Sequence, residues 1–223
     1  MNIWVLIPAY NEEKNLEKLL NELKGKNLFL LVVDDGSRDG TYKIASEYAD
    51  TVIKNEQNLG KGMSLKLGIK YLLENKNFDY VIIMDADGQH SPLDIDSFLK
   101  EARENREFFV VGNRMDNPGD MPAIRIMTNK FMSWLISRII GQKICDSQCG
   151  FRLIKKEVLE KLTLKTNRFE IESELVIVAA KNGFRLKSIP VRSIYYKKQQ
   201  SRINPFLDTL RFVKFIFYAS GRR

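Results

Sequence analysis

The apolar positions of this chain fall into short continuous runs, each ending abruptly in polar residues, and stripes of helical period separate them. Ile3 to Ile7 is the first run, as expected of a strand buried on both faces, and Pro8-Ala9-Tyr10-Asn11-Glu12 reads as its exit loop. Leu16, Leu19, Leu20 and Leu23 then repeat at helical spacing, with acid at the helix start in Asn11-Glu12-Glu13 and Gly25 as the stop. Leu28 to Val33 is a second buried strand, ending in Asp34-Asp35-Gly36-Ser37. A helix opening at Asp39-Gly40-Thr41 turns Ile44, Ala45 and Tyr48 inward, and Thr51-Val52-Ile53 makes a third strand. Asn58-Leu59-Gly60-Lys61-Gly62 leads into a helix carrying Leu65, Leu67, Ile69 and Leu72. Val81 to Met84 is the fourth strand, and it stops at Asp85-Ala86-Asp87-Gly88-Gln89-His90. Ser91-Pro92 with Asp94 then predicts an N-cap, a first-turn proline and an acidic first turn.

The second half changes character. Phe108 to Val111 is a strand, and Asn117-Pro118-Gly119-Asp120 is a turn. Met121 to Ile140 predicts a long helix dominated by Ile124, Met127, Phe131, Trp134, Leu135 and Ile139, a pattern that serves core packing and a lipid-facing surface equally. A polar loop, Asp146 to Arg152, runs into Leu153-Ile154. An amphipathic helix follows from about Glu172 to Lys181, and Arg185 to Val191 is the last strand. The segment from Asn204 to Ser220 mixes Phe206, Leu210 and Phe217 with Arg211 and Lys214, the make-up of a helix lying in a headgroup region. Strand and helix alternate without a linker or an internal repeat. The expected fold is therefore α/β: one domain, a mostly parallel sheet flanked by helices, with its loops converging on one edge.

Composition narrows the partners. The chain has 223 residues and a formal net charge of +8. From Lys181 onward there are eleven basic residues and one acid, a net +10, whereas the preceding 180 residues carry 25 basic against 27 acidic. The excess belongs to one end, which points to a local anionic partner such as an anionic membrane surface rather than to nucleic acid. No run is long enough to cross a bilayer, and Met1-Asn2-Ile3-Trp4 does not read as a signal peptide. Cys145 and Cys149 are spaced too widely for a redox pair and read as reduced thiols of a cytoplasmic protein. With His90 as the single histidine, the sequence argues against a Ser-His-Asp triad or a histidine-based zinc site.

The chemistry concentrates after the fourth strand. Asp85 and Asp87 flank one small residue, so a bend there can aim both carboxylates at one point, and Gln89 adds a neutral oxygen. That donor set suits a hard divalent cation, Mg²⁺ or Mn²⁺. The glycine-rich loop at Asn58–Gly62 lacks the spacing of a P-loop and reads as a simple helix entry, although its N–H groups and Lys61 could meet phosphate.

Four loops together, Pro8-Ala9-Tyr10-Asn11-Glu12, Asp34-Asp35-Gly36-Ser37, Asp85-Ala86-Asp87 and Asp146-x-x-Cys149-Gly150-Phe151-Arg152, resemble the family 2 glycosyltransferases. The similarity spans nearly the whole chain and is strongest to the polyprenyl- or dolichyl-phosphate sugar synthases. It implies a GT-A (Rossmann-like) fold over residues 1–203, with a nucleotide-sugar half at 1–115, an acceptor half at 116–203 and a basic amphipathic segment at 204–223. It implies that Pro8, Tyr10, Glu12, Val33 and Asp35 hold the base and ribose of a UDP- or GDP-sugar, with Asp85, Ala86 and Asp87 at its diphosphate. Asp85, Asp87 and Gln89 match the metal site, and Arg114 matches an arginine that meets phosphate. Ser201-Arg202 resembles a Ser-Lys pair near the donor diphosphate and the acceptor phosphate. Asp146 sits in a motif close to the reaction centre, in a catalytic or a supporting role. Arg125 is a further phosphate candidate, and Glu172 and Glu174 match an acidic pair or simply face water. One departure stands out: Tyr196 replaces an arginine six residues before the basic position, with Lys197 or Lys198 as substitutes.

The implied reaction is inverting transfer of a sugar to a polyprenyl phosphate by an enzyme peripherally associated with the membrane. A soluble saccharide acceptor is the alternative, and it needs a carboxylate base such as Asp146. A nucleotidyltransferase, or a non-catalytic basic module binding membrane or nucleic acid, are the readings outside that reaction class.

Overall fold

The computed structural model describes residues 1–194. Its centre is a seven-stranded sheet in the order β3-β2-β1-β4-β6-β5-β7. The strands are β1 (Ile3–Ala9), β2 (Phe29–Asp34), β3 (Thr51–Lys54), β4 (Tyr80–Ile83), β5 (Phe109–Asn113), β6 (Arg152–Lys155) and β7 (Leu186–Pro190). β6 runs antiparallel to both its neighbours, β4 and β5, while every other pairing is parallel. The expected mostly parallel α/β architecture is therefore the observed one.

Each apolar run became a strand because both its faces are covered. Val5, Leu6, Ile7, Leu31, Val32, Val33, Val81 and Ile82 have no measurable exposure. At about 25 cal/mol per Å² of apolar surface, continuous two-sided burial of this kind is the largest stabilising contribution to such a sheet. Helix α1 (Glu13–Lys24) turns Leu16, Leu19, Leu20 and Leu23 onto the sheet, as its stripe predicts. Helices α2 (Thr41–Tyr48) and α3 (Lys61–Asn75) follow β2 and β3, and α3 buries Leu65, Ile69 and Leu72.

Register brings the strand ends together. Ala9 pairs with Asp34, and Leu6 pairs with Ile83, so the exits of β1, β2 and β4 lie side by side. The Asp35 N–H donates to the Ala9 carbonyl at 2.8 Å, and Met84 N–H to Leu6 at 3.1 Å, which carries the alignment into the loops.

Four elements depart from the sequence pattern. The Ser91 side chain does not cap; Pro92–Asp94 is a 3-10 turn, and α4 (Ile95–Lys100) begins after it. Asp94 instead accepts from the Arg192 N–H at 2.7 Å, tying the exit of β7 to this loop. Helix α5 (Ala123–Ile140) is present, but Ile124, Met127, Phe131 and Trp134 are exposed by 54–68% while Asn129, Met132, Ser133 and Ile136 face inward. A short helix, α6 (Lys156–Lys161), which the pattern did not suggest, leads on from β6. Helix α7 (Ile171–Lys181) is not amphipathic: Glu172, Ser173 and Glu174 are buried along with Leu175, Val176 and Ile177.

Candidate functional site

The carboxyl ends of β1, β2 and β4 open onto a cleft of about 840 Å³, within the size range of small-molecule sites. Pro8, Tyr10, Glu12, Asp35, Asp85, Ala86, Asp87, Gln89 and Arg114 line it, as do Arg125 and Glu172. Loops from four strands thus deliver most of the expected residues to one place. Val33 does not line the cleft; it stays fully buried in β2, paired in register with Pro8. Arg202, with Ser201, Tyr196, Lys197, Lys198 and the 204–223 segment, lies outside the described residues.

The first two loops are laced together. Asn11, in the left-handed region at φ 54°, donates its N–H to Ser37 Oγ at 2.9 Å and accepts from the Arg38 N–H at 2.9 Å. Asp35 is 3% exposed, and its carboxylate accepts from Asn55 Nδ2, Leu59 N–H and Gly60 N–H at 2.8–3.0 Å. Asp35 therefore pins the glycine-rich loop that carries Lys61. Gly62 of that loop is needed for close packing: a Cβ there would stand 2.5 Å from the Asn167 carbonyl carbon.

Lys61 is the residue whose importance the sequence hid. Its ammonium lies 2.5 Å from Asp85 Oδ1 and 2.5 Å from Glu172 Oε1, bridging β4's exit loop and α7. Burial alone would push the Asp85 carboxyl up, but the Lys61 charge, helped by His90 and Arg114, holds it down at about 2. Asp87 behaves oppositely. Burial and the adjacent Asp85 charge raise its carboxyl to about 6, against a hydrogen bond from the Gln89 N–H at 2.9 Å. One carboxylate is thus firmly ionised and its neighbour poised to take up a proton, as two close acids in one site must be.

A divalent cation fits this arrangement. Asp85 Oδ1 is buried and makes no hydrogen bond, only the ionic contact with Lys61. Two carboxylates and an amide oxygen leave half of a six-fold oxygen shell to be filled by phosphate and water, the usual manner of Mg²⁺ binding. No group of three or more acidic, histidine or cysteine side chains among the described residues forms a cage that would hold an ion alone. The approach to Asp85 is also shaped: a Cβ on Gly150 would fall 2.6 Å from Asp85 Oδ2, so only glycine suits that point of the Cys149-Gly150-Phe151 turn.

Asp146 does not reach the cleft lining. It is fully buried and holds Arg114 in a two-pronged contact, Nε to Oδ2 at 2.7 Å and Nη2 to Oδ1 at 3.0 Å. The Arg114 N–H adds a third bond at 3.3 Å. Burial opposes the Arg114 charge, but the Asp146 carboxylate more than restores it. Arg152 is a second buried guanidinium, donating to the carbonyls of Cys149, Glu172 and Ser147 at 2.6–2.9 Å. It binds the 146–150 loop to α7 and so sets Gly150, Glu172 and Lys61 relative to Asp85. Glu174 does not face water; it accepts from the N–H groups of Lys165 and Thr166, both at 2.8 Å. His90 is 2% exposed, stacked on Phe151 at 5.1 Å, and burial holds its imidazole down at about 4, so it stays neutral near pH 7.

The sequence profile described as Glycosyl transferase family 2 matches residues 4–163. The chain is 34% identical over 223 residues to a UDP-N-acetylglucosamine–dolichyl-phosphate N-acetylglucosaminyltransferase of Methanococcus voltae, covering 90% of this chain and 88% of that protein. It is 28% identical over 215 residues to a dolichyl-phosphate beta-glucosyltransferase of Trichomonas vaginalis, covering 84% of this chain and 64% of that protein. Among solved structures, glucosyl-3-phosphoglycerate synthase from Mycobacterium tuberculosis, in complex with Mn²⁺, UDP-glucose and phosphoglyceric acid, superposes with a TM-score of 0.70 at 20% identity. That match covers 98% of this chain and 78% of the other, and the fold is GT-A.

Proposed function

The chain belongs to glycosyl transferase family 2 and is a glycosyltransferase, and on that footing we propose that it moves a sugar from a UDP- or GDP-sugar to a polyprenyl phosphate at a membrane surface, with inversion and with Mg²⁺ or Mn²⁺. The observation that carries this reading is the cleft itself. Carboxylates at Asp85 and Asp87 share the lining with the cationic groups of Lys61, Arg114, Arg125 and Arg168, a composition suited to a diphosphate and a second phosphate. The relatives named for dolichyl-phosphate acceptors support it, as does a GT-A neighbour that holds Mn²⁺ with UDP-glucose.

In this reading Tyr10, Glu12 and Asp35 border the nucleoside, and residues 1–115 and 116–203 serve the donor and the acceptor respectively. Asp85, Asp87 and Gln89 would hold the cation, which when bound neutralises charge on the leaving diphosphate. Lys61 and Arg114 orient and neutralise the phosphates, and Asp146 and Glu172 keep those two cations in position. A phosphate monoester is already anionic near neutral pH, so the acceptor needs no general base to attack the anomeric carbon. The site agrees with that economy: His90 is buried and a poor base, and both Asp146 oxygens are engaged by Arg114. A saccharide hydroxyl would need a carboxylate base, and the one the sequence suggested for that role, Asp146, lies outside the lining.

The test is direct. Purified protein is incubated with Mn²⁺ or Mg²⁺, labelled UDP- and GDP-sugars and polyprenyl phosphate, and label is counted in the organic phase. Label that stays water-soluble with every donor, while a soluble saccharide becomes labelled, would replace this reading with the alternative acceptor.

A further inference from the structure

We propose that the outward face of α5 is the surface by which this protein rests on an anionic bilayer, with Ile124, Met127, Phe131 and Trp134 in the headgroup layer. The proposal rests on the lipid-phosphate reading above and adds to it the part of the fold that meets the lipid. Exposed large apolar residues elsewhere among the described residues are scattered, as on any soluble protein. On α5 they follow one another at positions 124, 127, 131 and 134, three or four residues apart, so all four share one side of the helix. Their exposures are 67, 68, 54 and 54%. The inward side mixes Met132 and Ile136 with the polar Asn129 and Ser133, the last bonded to Ser147. Four large apolar side chains of the helix thus face away from the core.

Charge says what the face meets. From Ala123 to Ile140 there is no acidic residue, while Arg125, Lys130 and Arg138 are basic. Arg138 lies over the Trp134 ring at 5.7 Å, and Phe131 stacks on the same ring at 6.1 Å. An aromatic and aliphatic ridge flanked by cations is the composition of a helix lying in the plane of an anionic interface. The acids nearby, Asp116 and Asp120, sit in the preceding loop, so the cationic contact falls toward Lys130 and Arg138. None of the helices among the described residues can cross a membrane, so attachment by this face is peripheral. Geometry links the face to the chemistry, because Arg125, one residue from Ile124, lines the cleft. A bilayer touching the ridge would present a lipid phosphate at the cleft mouth.

The test uses the full chain and vesicles of phosphatidylglycerol and phosphatidylcholine, without donor or acceptor. Trp134 reports directly, since Trp4 is in the core at 5% exposure. Expected are quenching of Trp134 by brominated lipid, weaker binding at high salt, and a partition coefficient roughly 10- to 100-fold lower for Met127→Glu with Phe131→Glu. That double variant should keep its melting temperature, its nucleoside diphosphate affinity and its transfer to a short-chain, water-soluble polyprenyl phosphate. Wild-type-like partition of the double variant would overturn the proposal. So would shielding of Trp134 from acrylamide in lipid-free buffer, which would mean that the 195–223 segment or a second copy already covers the ridge. Loss of vesicle binding in a protein that glycosylates no lipid phosphate would leave this surface standing and remove the acceptor reading alone.

Discussion

Replacing Lys61 with methionine should both destabilise the protein and tighten its grip on a divalent cation. The side chain keeps its length and loses its charge, so Asp85 and Glu172, each 2.5 Å from the ammonium, are left facing one another. Removing one partner of a buried ion pair costs about 3–5 kcal/mol. The lower end applies here, because Lys61 and Asp85 retain 14% and 24% side-chain exposure to water. For a chain of 223 residues, about 3 kcal/mol corresponds to a melting temperature lower by roughly 6–12 °C. A cation added to wild type must displace the ammonium from Asp85, whereas in the variant it meets an uncompensated carboxylate. If roughly half of the lost pair energy had opposed the metal, Mn²⁺ affinity without nucleotide should rise about tenfold, the factor given by 1.4 kcal/mol. Titration calorimetry with Mn²⁺, beside melting curves with and without the ion, measures both effects. Turnover should still fall, since Lys61 lines the cleft where the diphosphate enters. Weaker Mn²⁺ binding in the variant would refute the competition, and an unchanged melting temperature would refute the buried pair.

Three further outcomes follow from the same geometry. Asp87→Asn should abolish turnover and raise metal-free stability, and the gain is pH-dependent: burial lifts the folded carboxyl to about 6, so its ionisation penalty is absent below about pH 4 and present above pH 6. Melting curves at pH 4.5 and 8 check the sign, and a larger gain at the lower pH would contradict it. Asp146→Asn breaks the bidentate contact to Arg114 and should cost about 3–5 kcal/mol, with turnover falling more than nucleoside diphosphate affinity; equal losses by calorimetry and kinetics would count against it. Asp35→Ala frees the Leu59 and Gly60 N–H groups and releases the Lys61 loop, so donor affinity should fall roughly 10- to 100-fold; unaltered donor binding would mean the loop holds without it.

The parallel sheet was legible because two-sided burial writes itself as unbroken apolar runs, and the strand-end carboxylates were legible because they interrupt those runs. What stayed hidden depended on partners far away in sequence. Glu172 and Glu174 look like the polar side of an amphipathic helix, yet they are 7% and 5% exposed because Lys61 and the 165–166 backbone satisfy them. The two-pronged Arg114–Asp146 contact joins residues 32 apart, and no local spacing announces that the aspartate holds the arginine rather than the substrate. Helix α5 misleads for the opposite reason: periodicity locates an apolar stripe but cannot say whether the core or a partner receives it. Val33 follows its strand into the sheet, so its place beside Pro8 is a matter of register.

The charge of the cleft argues for the cation independently of any single contact. Its lining includes seven acids (Glu12, Glu13, Asp35, Asp39, Asp85, Asp87 and Glu172) and five bases (Lys14, Lys61, Arg114, Arg125 and Arg168). The two most buried bases are already engaged, Lys61 by Asp85 and Glu172, Arg114 by Asp146 from behind. A nucleoside diphosphate therefore approaches a site with a small negative excess, in surroundings where charge is poorly screened. A divalent cation held by Asp85 and Asp87 would offset that excess and compete with Lys61 for Asp85, leaving the ammonium available to the phosphates. Asp85, which holds the ammonium, would then be shared with the metal, while Glu172 would keep its contact with Lys61.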